Sequence, residues 1–136
     1  MKLFVGAKSL VVREGKVLVI REAEYDEGTN IGKWDVPGGR IEVEEPILEG
    51  LKREVKEEVG LDISPKEVLG VFETFPTIKG EPCHIIRVYY RSEAHSGEVL
   101  LSGDHDMYEW IDPKQYTKRE FVSDIEEMIR KIAETL

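Results

Sequence analysis

The chain has 136 residues, 40% of them hydrophobic, and a formal net charge of −9 from 28 acidic and 19 basic side chains. That length and composition suit one core, hence a single domain over 1–136. There is no apolar run long enough to span a membrane, no signal-peptide core at the N-terminus and no basic patch to attract a nucleic-acid duplex. The expectation is a cytoplasmic monomer or homodimer.

In chain order, residues 3–13 are rich in β-formers, Glu14-Gly15 makes a turn, and Val17–Ile20 returns, so 3–20 reads as a hairpin. Residues 22–32 form a polar loop. Trp34-Asp35-Val36 is a short strand entering the turn Pro37-Gly38-Gly39, and Arg40–Val43 alternates in a way that suits local pairing. A helix follows from Pro46, placed at the first helical position with Glu45 at or beside the N-cap, and Gly60 stops it. Leu48, Leu51, Val55 and Val59 supply its core-facing stripe. Residues 61–63 and 68–75 read as strands, Pro76–Pro82 as a turn-rich loop and His84–Arg91 as a strong strand. Residues 94–106 form a loop, and Tyr108–Ile111 is the last strand. Ile125, Met128, Ile129, Ile132 and Leu136 mark a C-terminal helix, with Ser123 and Glu126 as its capping box. The single cysteine, Cys83, excludes an intramolecular disulfide and reads as an ordinary strand or loop residue.

Chemistry concentrates on the first helix. Glu54, Glu57 and Glu58 stand at i, i+3 and i+4 and so share one face, at the edge of the apolar stripe. Gly50 lies on the same face and leaves room for an approaching group. Arg53 is spaced to hold carboxylates, Glu57 and Glu45 among them, by charge-assisted hydrogen bonds. Clustered carboxylates suit Mg²⁺ or Mn²⁺, and these suit a phosphate-bearing substrate. A glutamate-rich face alone also fits a merely solvated surface.

The wider pattern decides between these. Gly39, five residues, Glu45, seven residues, then Arg53-Glu54-Val55-Lys56-Glu57-Glu58-Val59-Gly60-Leu61 resembles the Nudix box at every defined position, and the preceding WxxPGG run is also Nudix-like. The resemblance implies an α/β/α sandwich with a central mixed sheet, a catalytic loop-helix-loop and a C-terminal helix. It implies hydrolysis of a nucleoside diphosphate linked to another moiety, by metal-assisted attack of water on phosphorus. Carried onto this chain, the metal ligands are Glu54, Glu57, Glu58 and the Gly38 carbonyl; Arg53 and Glu45 orient them, and Gly39 and Gly60 shape the loop and helix end. One departure is Glu44, where many members have glycine. A non-catalytic nucleotide- or metabolite-sensing module on the same fold is the alternative, and the intact glutamates favour the enzyme.

Two further places draw interest. In many Nudix enzymes an acidic residue before a strand bearing an aromatic serves as general base; Asp104 fits that position, Asp106 is the reserve, and an Asx-turn is the structural alternative. The spacing of Ser102, His105, Tyr108 and Trp110 also resembles asymmetric diadenosine-tetraphosphate hydrolases. Tyr25, Trp34, Phe75, Tyr89 and Tyr108 are candidates to stack on a base, though strand aromatics more often serve the core.

Overall fold

The computed structural model describes residues 1–24, 30–116, 119–122 and 124–136. Among the described residues eight strands and two helices follow one another: β1 (Lys2–Arg13), β2 (Lys16–Glu22), β3 (Trp34–Asp35), β4 (Gly38–Arg40), α1 (Ile47–Val59), β5 (Ser64–Thr74), β6 (Thr77–Ile78), β7 (Glu81–Glu93), β8 (His105–Ile111) and α2 (Ile125–Ala133). The strands join in a mixed sheet of order β3-β2-β1-β7-β5, with β4 against β1, β6 against β7 and β8 against β2. β1 and β7 run parallel over eleven residue pairs from Lys2↔Cys83 to Val12↔Glu93.

The period-2 alternation of β1 and β2 feeds two cores. Ala7, Val11, Leu18 and Ile20 face α1 through Leu51, Val55 and Val59. Leu10, Val12, Val17 and Val19 face α2 through Ile125, Met128, Ile129 and Ile132. The molecule is therefore an α/β/α sandwich with a central mixed sheet.

β1 and β2 pair only near their turn, at Val12↔Val17 and Arg13↔Lys16. Beyond it they diverge. β4 takes the freed edge of β1, at Gly6↔Arg40, Ala7↔Gly39 and Lys8↔Gly38. β3 takes the edge of β2, at Ile20↔Asp35 and Arg21↔Trp34. The segment between them is pinned where Ser9 N–H donates to the Pro37 carbonyl at 2.8 Å. This opening brings the Pro37-Gly38-Gly39 turn under α1.

Several local expectations change. Pairing falls on Gly38–Arg40 and not on Arg40–Val43, because β1 captures the glycines themselves. Residues 61–63 are not a strand; β5 is one run from Ser64 to Thr74, with register shifts between Pro65 and Gly70. The Pro76–Pro82 loop holds a small hairpin, β6 to β7, turned by Lys79 (φ 51°) and Gly80 (φ 76°). The 94–106 loop ends two residues early, since β8 starts at His105. In α1 the apolar stripe contains Ile47 in place of Leu48, which is 42% exposed: a strict i+4 series leads from Ile47 to Leu51, Val55 and Val59. Pro46 is the N-cap and not the first helical residue. α2 begins after Asp124, which takes φ 79° without a side-chain cap; Ser123 and its capping box lie outside the described residues.

Candidate active site

Arg53 is the organising cation of α1. Its Nε and Nη2 donate to Glu45 Oε2 and Oε1 at 2.7 and 3.0 Å, a two-pronged grip, and Nη1 donates to Glu54 Oε1 at 3.1 Å and to both Glu57 oxygens at 3.4 Å. Glu45 also accepts the Glu42 N–H at 3.0 Å. The Arg53 hydrogen bonds come first, and the Glu42 N–H second, in holding the Glu45 carboxyl down at about 2. The room at Gly50 is taken up by Ile41 and Glu45: a Cβ there would stand 2.5 Å from Ile41 Cδ1 and 2.7 Å from Glu45 Oε1. Gly39 likewise clears space for Glu54, whose Cδ would lie 2.7 Å from an added Cβ. Gly60 ends α1 with φ 75°, its N–H reaching the Lys56 carbonyl.

Glu58 turns away from Arg53. Its Oε2 accepts the Gly38 N–H at 3.0 Å. Gly38 has φ 145°, and a Cβ would stand 2.5 Å from Lys8 Cα, so glycine is required for both reasons. Burial, opposed by the Lys8 charge and the Gly38 hydrogen bond, pushes the Glu58 carboxyl up to about 8. Burial also raises Glu54, less the effect of Arg53.

Beside Glu58 lies a cavity of about 390 Å³ whose walls include Gly38, Gly39, Lys8, Asp35, Asp104 and His105. Asp104 is exposed, immediately precedes β8 and faces this cavity; its carbonyl accepts the Ala23 N–H at 2.9 Å, and its carboxylate forms no Asx-turn among the described residues. Asp106 points elsewhere, paired with Arg21 at 2.8 Å. His105 is half-buried; burial lowers its imidazole, and Nδ1 has no partner. The expected loop histidine is therefore a strand residue on the cavity wall.

Sequence reasoning missed the pair formed by Lys8 Nζ donating to Asp35 Oδ2 at 2.5 Å, with Asp35 only 4% exposed. Its one signal was a lysine inside the apolar run of β1. The aromatics proposed for stacking stand off the cavity: Tyr89 is buried at 1% exposure, Phe75 stacks on His84 with centroids 4.4 Å apart, and Trp34 and Tyr108 do not line it. Tyr25 lies outside the described residues.

The three glutamates do not converge as they stand. Two are tethered to Arg53 and one to Gly38, and among the described residues no three acidic, histidine or cysteine side chains enclose an ion. The donor chemistry nevertheless fits a hard divalent cation. Glu58 carries a desolvated carboxylate with one N–H partner, and Glu54 stands against Gly39, one residue along.

A carboxylate-bearing helix packed under a polar cavity, on a mixed sheet covered by a second helix, is the arrangement that the Nudix-like sequence pattern implies. The family model of the NUDIX domain matches residues 3–132, and the chain belongs to that family. A MutT-like protein of Streptomyces ambofaciens is 33% identical over 116 residues, which cover 85% of this chain and 68% of the relative. The 8-oxo-dGDP phosphatase NUDT18 of Homo sapiens is 44% identical over 64 residues, 47% of this chain but only 19% of the human protein. The crystal structure of a MutT protein from Methanosarcina mazei superposes with a TM-score of 0.83 at 27% identity, covering 98% of this chain and 96% of that one.

Proposed function

We propose that this Nudix hydrolase is a divalent-cation-dependent pyrophosphohydrolase that cleaves a nucleoside diphosphate joined to a further group, by attack of water on phosphorus. The observation that carries the reading is the placement of Glu58, Gly38 and Asp104 on the walls of one nucleotide-sized cavity. The relatives support a nucleotide substrate, since the human one is named for 8-oxo-dGDP. Glu54, Glu57, Glu58 and the Gly38 carbonyl would hold Mg²⁺ or Mn²⁺, which when bound neutralises phosphate charge and polarises the anhydride.

The chain's own residues do the rest. Arg53 and Glu45 fix α1 against the Gly38–Gly39 turn. Asp104, with no hydrogen-bond partner for its carboxylate among the described residues, is free to accept the proton of the attacking water as general base. The cavity walls hold the nucleotide. A screen with Mg²⁺ across oxidised dGTP, ADP-ribose, diadenosine polyphosphates and nucleotide sugars tests the reading: at least one should yield a nucleoside monophosphate. Binding without turnover of any of them would instead support a nucleotide-sensing module.

A further inference from the structure

The cavity has an end that the catalytic reading leaves unused. Gly6 on β1 stands opposite Arg40 of β4 on one side and Arg87 of β7 on the other. Residues opposite one another in a ladder project from one face. Arg40, Gly6 and Arg87 therefore form a row across the sheet, and all three line the cavity. Two strand spacings separate the arginine Cα atoms by about 10 Å, with no side chain between them. Two residues along β1 on the same face is Lys8, opposite Gly38, so the row lies about 7 Å from the carboxylate end.

The bare position at Gly6 is not demanded by the fold. An added Cβ would meet only ordinary neighbours, Gly39 O at 3.5 Å and Arg87 Cγ at 3.9 Å, and the backbone is not in the glycine region. What the missing side chain preserves is open space in the row between Arg40 and Arg87.

Neither guanidinium is spent on a carboxylate. Arg87 donates to Thr74 Oγ1 at 3.3 Å, Arg40 lies over the Phe4 ring at 3.6 Å, and neither makes an ion pair among the described residues. Arg21, Arg53, Arg91, Arg119 and Arg130 all do. Of the other charges nearby, Lys8 and Asp35 pair with each other, and Asp124 feels the Arg87 charge without forming a salt bridge to it; Glu22, Glu58 and Asp104 line other parts of the cavity. In a chain of net charge −9, two arginines that line one cavity without an ion pair among the described residues make a place for an anion.

We propose that Arg40, Gly6 and Arg87 form a phosphate subsite that grips the free terminal phosphate of a nucleoside di- or triphosphate. It selects such substrates over nucleotides whose second moiety is an uncharged sugar. Phe4 backs the Arg40 guanidinium, and Gly6 provides the floor on which the phosphate sits. The inference rests on the reading that the cavity takes a nucleotide.

Inorganic tripolyphosphate is titrated calorimetrically into the EDTA-treated chain at low and high salt. Wild type and the remote control Lys16→Gln bind it, more weakly as salt rises, and Arg87→Gln and Arg40→Gln each lose about tenfold in affinity. In parallel, kcat/KM with Mg²⁺ is measured for a nucleoside triphosphate and a nucleoside diphosphate sugar. Arg87→Gln lowers the first about tenfold more than the second, through KM. No binding by wild type, unchanged binding by both variants, or equal losses on the two nucleotides would overturn the subsite. Where neither nucleotide is turned over, the titration decides the subsite, and the wider substrate screen decides the hydrolase reading.

Discussion

Replacing Glu58 by glutamine separates catalysis from stability, because the structure makes the wild-type carboxylate a liability in the metal-free protein. Its folded value near 8 lies above the ordinary 4.5. A carboxyl raised on folding costs nothing below the unfolded value and destabilises progressively as pH rises, levelling off near the folded value. At pH 7 the gap of 2.5 units from 4.5, at about 1.4 kcal/mol each, amounts to roughly 3 kcal/mol. Glutamine keeps an oxygen for the Gly38 N–H and carries no charge. Its second N–H in a desolvated place costs about 1 kcal/mol, leaving a gain of about 2 kcal/mol or several degrees in Tm. Thermal denaturation in EDTA from pH 4.5 to 8.5 should show wild type and variant coinciding at the acid end and diverging as pH rises. Saturating Mg²⁺ should then raise the wild type by mass action, about 2.7 kcal/mol at a hundredfold excess over Kd, and the variant by less, while turnover is lost. A Tm difference that does not change with pH, or a variant that keeps wild-type turnover, would defeat the argument.

Arg53→Ala should lower turnover about 10- to 100-fold, and lysine should recover only part, because it cannot reproduce the two-pronged bond to Glu45; full activity in Arg53→Lys would reduce the residue to a point charge. The same pair governs acid stability. Glu45 is depressed, so its contribution is complete above about 4.5 and fades as pH falls toward 2, and Arg53→Ala should move the acid-unfolding midpoint, followed by circular dichroism, upward. Glu44 takes φ 66°, the backbone a glycine adopts freely, so Glu44→Gly should stabilise the chain by about 0.5–1 kcal/mol in urea denaturation, and any loss of stability would contradict that. Asp104→Asn should cost turnover by about 10²- to 10⁴-fold with KM little changed, whereas a value within about threefold of wild type would remove it as the base.

What the sequence made legible divides along a physical line. The position of α1, its glycine stop and the common face of Glu54, Glu57 and Glu58 follow from a 3.6-residue period and from punctuation by residues with unusual backbone freedom, both local properties. The stripe was misread by one position because Ile47 and Leu48 are equally apolar, and only the packing of α1 on Ala7, Val11 and Leu18 chooses between them. Glu44 shows the same limit from the other side. Its departure from glycine was visible in the sequence, but the positive φ that gives it a cost was not.

The cavity is a product of register, which is not local. Lys8 and Asp35 are 27 residues apart and meet because β1 and β2 diverge and admit β3 and β4 between them. Arg40 and Arg87 flank Gly6 only because β4 pairs antiparallel and β7 parallel on the two edges of one strand. A slip of one residue in either ladder would turn that arginine to the opposite face, away from the cavity. The helix-borne carboxylates are thus specified by spacing within a single element, while the placing of Arg40 and Arg87 on the cavity lining is specified by the sheet's pairing. A change in β4 or β7 that shifts register should therefore alter substrate grip while leaving the carboxylate face of α1 in place.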